Sequence, residues 1–592
     1  MRLGWLLGTA NILALLSPAQ QSVLAQPAPE AAPSDLYRWN GSAWAATETP
    51  PLGQAPEVIE KPQDTAIILS PLRGIVLLSH EADVDPKGRE AGGFQSGDHP
   101  LLDSDDFREH IAPFIGRPAS MATLHEISRL IVTYYRDHDR PLVDVAIPAG
   151  QDITNGVVQL VVTEFRIEKI AVQGAKWFSD DILLGQVRSK PGDIVSGARL
   201  QKDVNWLNGN PFRRVELVYT KSDAPGMSDI TLRTEDKFPL RATASYDNTG
   251  APATTRDRWN IGFTWGNALF LDHLLTYQLS TSDDFWHNRS KEQGDPHFVG
   301  HTVSYVIPLP WQDRLTISGN YSQSLPISGD PNFSSLGISA GANLQYGIPM
   351  SWAGGLTGEL DIGYDFKQSN NNLAFGGTEV SATSTDIHQL ILGQSLQLPD
   401  DYGVTSGNLS VYLSPGHLGS GNTSQAYATQ RVNANARYLY ARMTIDRLTK
   451  LPWDMAWDLR VQGQLATGNL LPSEQLAAAG SYGVRGYDAG SANGDAGVII
   501  NNELRSWPFA LIGKSIADQA QIVLFSDYGY VLSRHRDLGE PGRINIASVG
   551  AGLRYTIDPN LIFKLDYGWQ LNRLPTEPAL GQFGHLYLSA SF

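Results

Sequence analysis

In Phe563-Lys564-Leu565-Asp566-Tyr567-Gly568-Trp569-Gln570, the side chains Phe563, Leu565, Tyr567 and Trp569 alternate with Lys564, Asp566, Gly568 and Gln570. Successive side chains of a β-strand point to opposite faces, so this segment has one apolar face and one polar or small face. The pattern recurs upstream. Trp259, Ile261, Phe263 and Trp265 alternate with Asn260, Gly262, Thr264 and Gly266. Trp457, Leu459, Val461 and Leu465 alternate with Asp458, Arg460, Gln462 and Gln464. Such segments run for about nine to eleven residues, the length of a tilted strand that crosses a bilayer.

From Leu240 to Phe592 this alternation predicts sixteen strands, at 240–248, 257–266, 273–281, 298–307, 314–322, 336–347, 354–367, 387–398, 405–413, 434–445, 455–466, 497–505, 520–529, 547–557, 561–570 and 584–592. An even number suits a closed antiparallel barrel in a bacterial outer membrane. The connections alternate as well. Leu309-Pro310-Trp311, Met350-Ser351-Trp352, Leu451-Pro452-Trp453 and Trp507-Pro508 read as short turns carrying a periplasmic aromatic belt. The longer, polar connections at 284–295, 368–385 and 415–430 are expected outside the cell. A soluble sandwich or propeller of this length would need a second domain or a blade repeat, and the segment shows neither linker nor repeat.

Upstream the period changes. Gly74–Leu78 reads as a strand, 103–115 and 121–136 as helices, and 143–147 and 157–162 as strands. Leu124, Ile127, Leu130, Ile131 and Tyr134 recur at helical spacing in the second helix. The order then repeats: strand 167–172, helices 179–187 and 196–208, strands 215–220 and 230–234. Each βααββ module predicts a three-stranded sheet with two helices on one face. The expected division is 71–164 and 165–237 for the modules and 238–592 for the barrel. Before them, residues 1–25 read as a signal peptide: Arg2, an apolar run from Leu3 to Leu16, and Val23-Leu24-Ala25 ahead of cleavage. Residues 26–70 form a Pro-rich linker.

Composition agrees. The chain has 592 residues, 57 Gly, 14 Trp, 22 Tyr, no Cys, only 18 % charged residues and a net charge of -16. No Cys excludes disulfides, thiolate metal sites and cysteine nucleophiles, and suits an oxidising periplasm. The acidic balance excludes a basic nucleic-acid surface. Mean hydropathy is -0.22, too low for a helical membrane bundle. His125-Glu126 has Arg129 where a zincin needs its second His, and there is no Walker loop. No catalytic residue, metal ion or cofactor is expected. The acidic cluster Asp103, Asp105 and Asp106 reads as a solvated helix start, Asp488 and Asp495 as solvated loop residues, and His585 as a rim or girdle residue.

The longest barrel connection, 467–496, contains Val484-Arg485-Gly486-Tyr487. An Arg in a small, Gly-rich hairpin calls for an anionic partner. On the strand from Ala520, Gln521, Val523, Phe525 and Asp527 share the lumen face while Ile522 and Leu524 face lipid. Phe525-Ser526-Asp527-Tyr528-Gly529 therefore offers a carboxylate inward, and a bidentate Arg485–Asp527 pair would tie the loop tip to the wall. Glu503 and Arg505 alternate inward with Asn501 and can join this network, or supply ordinary lumen polarity.

The Arg-Gly-Tyr loop before the twelfth strand and the Phe-x-Asp-x-Gly strand after it resemble the POTRA-domain outer-membrane barrels. Two POTRA-like modules ahead of sixteen strands is similar to the two-partner secretion transporters (TpsB). The resemblance implies an outer-membrane protein with periplasmic POTRA domains, expected as a monomer and inserted by barrel-assembly machinery that reads the terminal Phe592. Its partner would be an unfolded, TpsA-like exoprotein of haemolysin or adhesin type. By the same resemblance, the client would add as a strand along the edges carrying Val143, Val145 and Ile147, and Val215, Leu217 and Tyr219. It would then thread the lumen without ATP. The family places a plug helix ahead of the first POTRA domain; here Ser34–Glu48, flanked by prolines, is the candidate. An insertase for other barrels shares this fold and motif. A passive porin would not carry residues 167–234.

Overall fold

The computed structural model describes residues 65–592 apart from 91, 288–294, 328–332, 353–354, 376–377, 514–515, 537–540 and 576, with the side chains of 333–334 and 371–383 also left aside. The expected signal peptide, the linker up to residue 64 and the plug candidate lie outside these residues. The chain divides into two compact units, one ending at Lys237 and the other running from Phe238 to Phe592.

In the first unit, β1 (Ile67–Leu69), β2 (Gly74–Leu78), β3 (Gly93–Gln95), α1 (Asp105–Ile111), β4 (Ala119–Ser120), α2 (Met121–Asp137), β5 (Val143–Ala146) and β6 (Val157–Glu164) form one module. Ser104 caps α1 by accepting from the Phe107 amide at 3.2 Å, so the acidic cluster does mark a helix start. The apolar stripe of α2 packs Leu124, Ile127, Ile131 and Tyr135 onto Leu77, Val158 and Leu160. The sheet has four strands, in the order β3-β2-β6-β5, rather than the expected three. The segment after β2 folds over the second face, where Val76, Leu78, Val157 and Val161 form their own apolar cluster with Val84. Buried Gln159 holds that segment through the amide and carbonyl of Asp85, both at 2.9 Å. Nothing in the strand and helix periods marks this covering segment, because its ties are to backbone groups.

The second module contains β7 (Arg166–Gln173), α3 (Asp180–Gly185), α4 (Gly197–Leu207), β8 (Arg213–Lys221) and β9 (Met227–Asp236), with sheet order β7-β9-β8. The two modules are joined by a side chain. Asp139, just past α2 and with φ 66°, accepts from the Ala198 amide at 2.6 Å and from the Ser196 hydroxyl. The first module thus supplies a cap to the first turn of α4 in the second.

The second unit is a closed antiparallel barrel of sixteen strands. They are β10 (Leu240–Asp247), β11 (Arg258–Ala268), β12 (His273–Thr281), β13 (Phe298–Pro308), β14 (Arg314–Ser324), β15 (Phe333–Ser351), β16 (Thr357–Phe375), β17 (Thr378–Asp400), β18 (Gly403–Ser414), β19 (Tyr438–Lys450) and β20 (Ala456–Ala466). A small hairpin, β21 (Leu476–Ala477) and β22 (Asn493–Gly494), interrupts the next connection. The barrel resumes with β23 (Ala496–Arg505), β24 (Asp518–Leu532), β25 (Arg543–Ile557), β26 (Leu561–Gln570) and β27 (Gln582–Ser591). β10 closes on β27 through Thr243↔Ser591 to Asp247↔Tyr587. Closure pairs each strand with a neighbour on both sides through the wall, which a hydrocarbon surround demands.

Face assignments follow the alternation. Trp259, Ile261, Ile522, Leu524, Leu565, Tyr567 and Trp569 are exposed on the outer wall, while Asn260, Gln464, Asp527, Asp566 and Gln570 are buried inside. Trp311, Trp352, Trp453 and Trp507 sit exposed at the end of the barrel where β10 begins. Two expectations need correction. The polar connection at 368–385 is not a loop: β16 and β17 continue through it, pairing as far as Phe375↔Thr378. Beyond the apolar band a strand no longer needs an apolar face, so Ser, Asn and Thr extend it without the alternation that would announce it. Trp507-Pro508 lies in a longer connection, 506–517, where Phe509 bridges back to Ala520.

Candidate functional site

The connection 467–495 leaves β20 and returns to β23 at the end opposite the Trp-bearing turns. Leu470, Glu474, Ala478, Val484, Tyr487 and Ala492 have essentially no exposed surface. Their partners are inward-facing residues of the wall, so the loop folds back into the lumen.

At the loop tip, Arg485 donates to Asp527 from Nε and Nη2, both at 2.8 Å, and from its backbone amide at 3.1 Å. Its Nη1 donates to Glu503 at 2.6 Å and lies 3.5 Å from Asp566. The guanidinium stacks 3.7 Å above the Phe525 ring. Planarity and a fixed donor fork suit Arg to all three tasks at once. Glu503 is shared: Arg554 donates to it at 2.9 Å and Arg505 at 3.1 Å, and Arg505 also reaches Asp458 at 2.6 Å. Three arginines and four carboxylates therefore form one network with the loop tip at its centre.

The other residues of the tip set its depth. Gly486 has φ +89°, and a Cβ there would meet the Gly568 backbone at 2.9 Å. A Cβ on Gly568 would likewise meet Gly486 at 2.8 Å, so each glycine is needed for loop and wall to touch. Val484 packs in a buried cluster with Leu476, Ile499, Val531 and Ile546, and lies so near Gly529 that a Cβ there would come within 2.8 Å. Tyr487 is buried and donates to the Ala547 carbonyl at 2.9 Å.

Several members of the site were missed from sequence. Glu474 sits in a second anchor on the loop's first arm: Lys367 donates to it at 3.0 Å and Tyr440 at 2.7 Å, while Lys367 also pairs with Asp365 at 3.0 Å. Asp495 is a correction. It is fully buried, and Arg431 grips it through Nη1 at 2.5 Å and Nη2 at 3.1 Å. Asp488, also read as solvated, takes a bidentate contact from Arg256 at 2.7 and 2.9 Å. His585 is not at a rim: its Nε2 accepts from the Gly486 amide at 3.1 Å, and Gln570 donates to the Gly486 carbonyl at 2.9 Å. Gly568, Gln570 and His585 all follow the inward alternation of β26 and β27, a signal that was present. Lys367 and Glu474 have no common local pattern.

On the modules, β5 and β8 are the outer strands of their sheets. Val143, Val145 and Ile147 turn toward the module core, with Ile147 just past the end of β5, and Leu217 and Tyr219 pack near buried Val215 on the helix side. Their side chains are thus engaged, and what an edge presents is backbone.

Among the described residues no cluster of His, Asp and Glu is arranged to hold a metal ion. The site holds a loop in place; its chemistry is charge pairing and close packing. Comparisons with known proteins agree with this architecture. Residues 226–555 match the family model for the haemolysin secretion/activation protein ShlB/FhaC/HecB. The heme/hemopexin transporter protein HuxB of Haemophilus influenzae is 23 % identical over 76 % of this chain and 78 % of its own length. The outer membrane transporter CdiB of Dickeya dadantii is 21 % identical over 77 % of this chain and 80 % of its own length. The structure of CdiB from Escherichia coli shares the fold with a TM-score of 0.71 at 18 % identity, covering 92 % of this chain and 94 % of that one. With POTRA modules for the periplasm and a sixteen-stranded barrel for the outer membrane, the chain belongs to the ShlB/FhaC/HecB family of two-partner secretion transporters.

Proposed function

We propose that this transporter takes an unfolded exoprotein of haemolysin or adhesin type from the periplasm, aligns it on the outer strands of the POTRA sheets, and passes it through the barrel. The observation that carries the reading is the position of β5 and β8, each at a sheet edge beside the helix packed on the same core. Strand addition there uses main-chain hydrogen bonds and asks for no particular client sequence. The wall supports the second step: its inner face is lined by Asp, Asn, Gln, Ser and Arg, so an extended polar chain meets exchangeable hydrogen-bonding partners.

The loop tip held by Arg485, Asp527, Phe525 and Glu503 occupies the lumen in the resting state and must yield when the client enters. The sequence has no nucleotide-binding loop, and folding of the client outside the cell supplies the direction by preventing its return.

The test is photocrosslinking in cells that express the transporter together with a candidate exoprotein of this type. Photoreactive residues at Asp144 on β5 and Val218 on β8 should each capture the exoprotein during export. Crosslinks to neither edge would overturn the recognition step. Loss of porins from the outer membrane on depletion, with export unchanged, would make the protein an insertase instead.

A further inference from the structure

Asp495 links three connections at the end of the barrel opposite the Trp-bearing turns. Its carboxylate accepts from Arg431 in the β18–β19 connection, from the Arg534 amide after β24 at 2.8 Å, and from the Leu470 amide of its own loop at 2.9 Å. A second buried side chain repeats the link. Asn469 donates to the Val432 carbonyl at 3.0 Å and the His535 carbonyl at 2.7 Å, and accepts from the His535 amide at 2.8 Å. Arg431 also donates to the Leu470 carbonyl at 2.7 Å, and Arg534 to the Ala466 carbonyl at 2.8 Å.

The same connections also meet in an apolar cluster. Leu470 and Leu471 pack with Ala434, Ala436 and Tyr427 against the wall residues Tyr438 and Tyr440. Tyr427 belongs to the short helix Ser424–Gln430, and its hydroxyl donates to the Asp386 carbonyl at 3.0 Å.

We propose that Asp495 and Asn469 form a latch that holds the cell-surface mouth of the pore shut, with Arg431 as its releasable arm. The three connections are joined chiefly by side chains rather than by extended strand pairing, so they can part without unravelling the barrel. A buried carboxylate that loses its guanidinium must hydrate or take up a proton, and Asp495 has no exposed surface of its own. The latch is separate from the Arg485 network, which acts on the loop tip.

The inference rests on the translocation reading only in that a client would open the latch; its test needs no client. Full-length protein in planar lipid bilayers should show an open probability about ten- to a hundredfold higher for Arg431→Gln than for the parent, the factor expected for loss of one charge-assisted pair. Cells carrying it should become sensitive to vancomycin, which an intact outer membrane excludes. Because the chain has no Cys, Ala434→Cys with Asn469→Cys, a bridged pair, gives a second test that also covers failure of Arg431→Gln to insert. Reduced, it should conduct like Arg431→Gln; oxidised, it should be silent. Parental conductance from inserted Arg431→Gln, or conductance unchanged by oxidation, would overturn the latch. If oxidation silences conductance but leaves export untouched, the latch stands and the route through the lumen falls.

Discussion

Replacing Arg485 with Ala removes two side-chain hydrogen bonds to Asp527, one to Glu503, and the stack on Phe525. The losses are unequal. Glu503 keeps Arg505 and Arg554. The Asp527 side chain has no exposed surface and, among the described residues, would retain only the amide of residue 485. Breaking a buried pair by removing one partner costs about 3–5 kcal/mol, most of it from the charge left behind. The cation–π stack adds up to about 2 kcal/mol and does not sum simply with the pair. Since about 5.5 kcal/mol moves a two-state equilibrium from 99:1 to 1:99, a loss of this size should leave the loop out of its slot for a substantial fraction of the time. The barrel does not depend on the pair, so Arg485→Ala should still insert and show heat-modifiable mobility. Its resting conductance should rise and export of the partner exoprotein should fall. Arg485→Ala with Asp527→Ala should cost less than the sum of the two singles, because the second change removes the stranded carboxylate; the coupling should be about 1–3 kcal/mol. Parental export and parental conductance from Arg485→Ala would refute the reasoning.

Three further outcomes are expected. Gly568→Ala drives a Cβ to 2.8 Å from the Gly486 backbone, so it should lift the tip at a cost of about 1–3 kcal/mol, seen as raised conductance in an inserted barrel. Lys367→Met leaves Asp365 and Glu474 buried without their shared cation; amide exchange at residues 470–476 should accelerate strongly, by the equivalent of about 3–5 kcal/mol. Asp139→Ala removes the shared cap of α4 and should speed exchange at Ala198 about fivefold, for a loss of about 1 kcal/mol, with α2 unchanged.

The Arg485–Asp527 partnership was legible because two local signals met. A lone Arg in a Gly-rich hairpin needs an anion, and period two on β24 places Asp527 on the inner face while sending Ile522 and Leu524 outward. The same rule would have singled out Gly568, Gln570 and His585, since β26 and β27 keep strict alternation. Asp495 was misread for a different reason. It sits among Gly and Ala, a composition that looks solvated, and the Arg431 that pairs with it there belongs to another connection.

By itself the amino-acid order determined the number of barrel strands, which face of each meets lipid, and the two helix-bearing modules ahead of them. These properties repeat along the chain with a period of two or about 3.6, because solvent on one side and lipid or core on the other impose that period. Only the tertiary structure decided how far β16 and β17 extend, that the first module covers a second face, and which wall residues beyond Asp527 and Glu503 grip the loop. Lys367 and Glu474 stand 107 residues apart, and Asn469 meets His535 across 66. Such pairs arise from closing the barrel and folding a loop into it, and a contact made by closure leaves no period in either partner's own stretch of sequence.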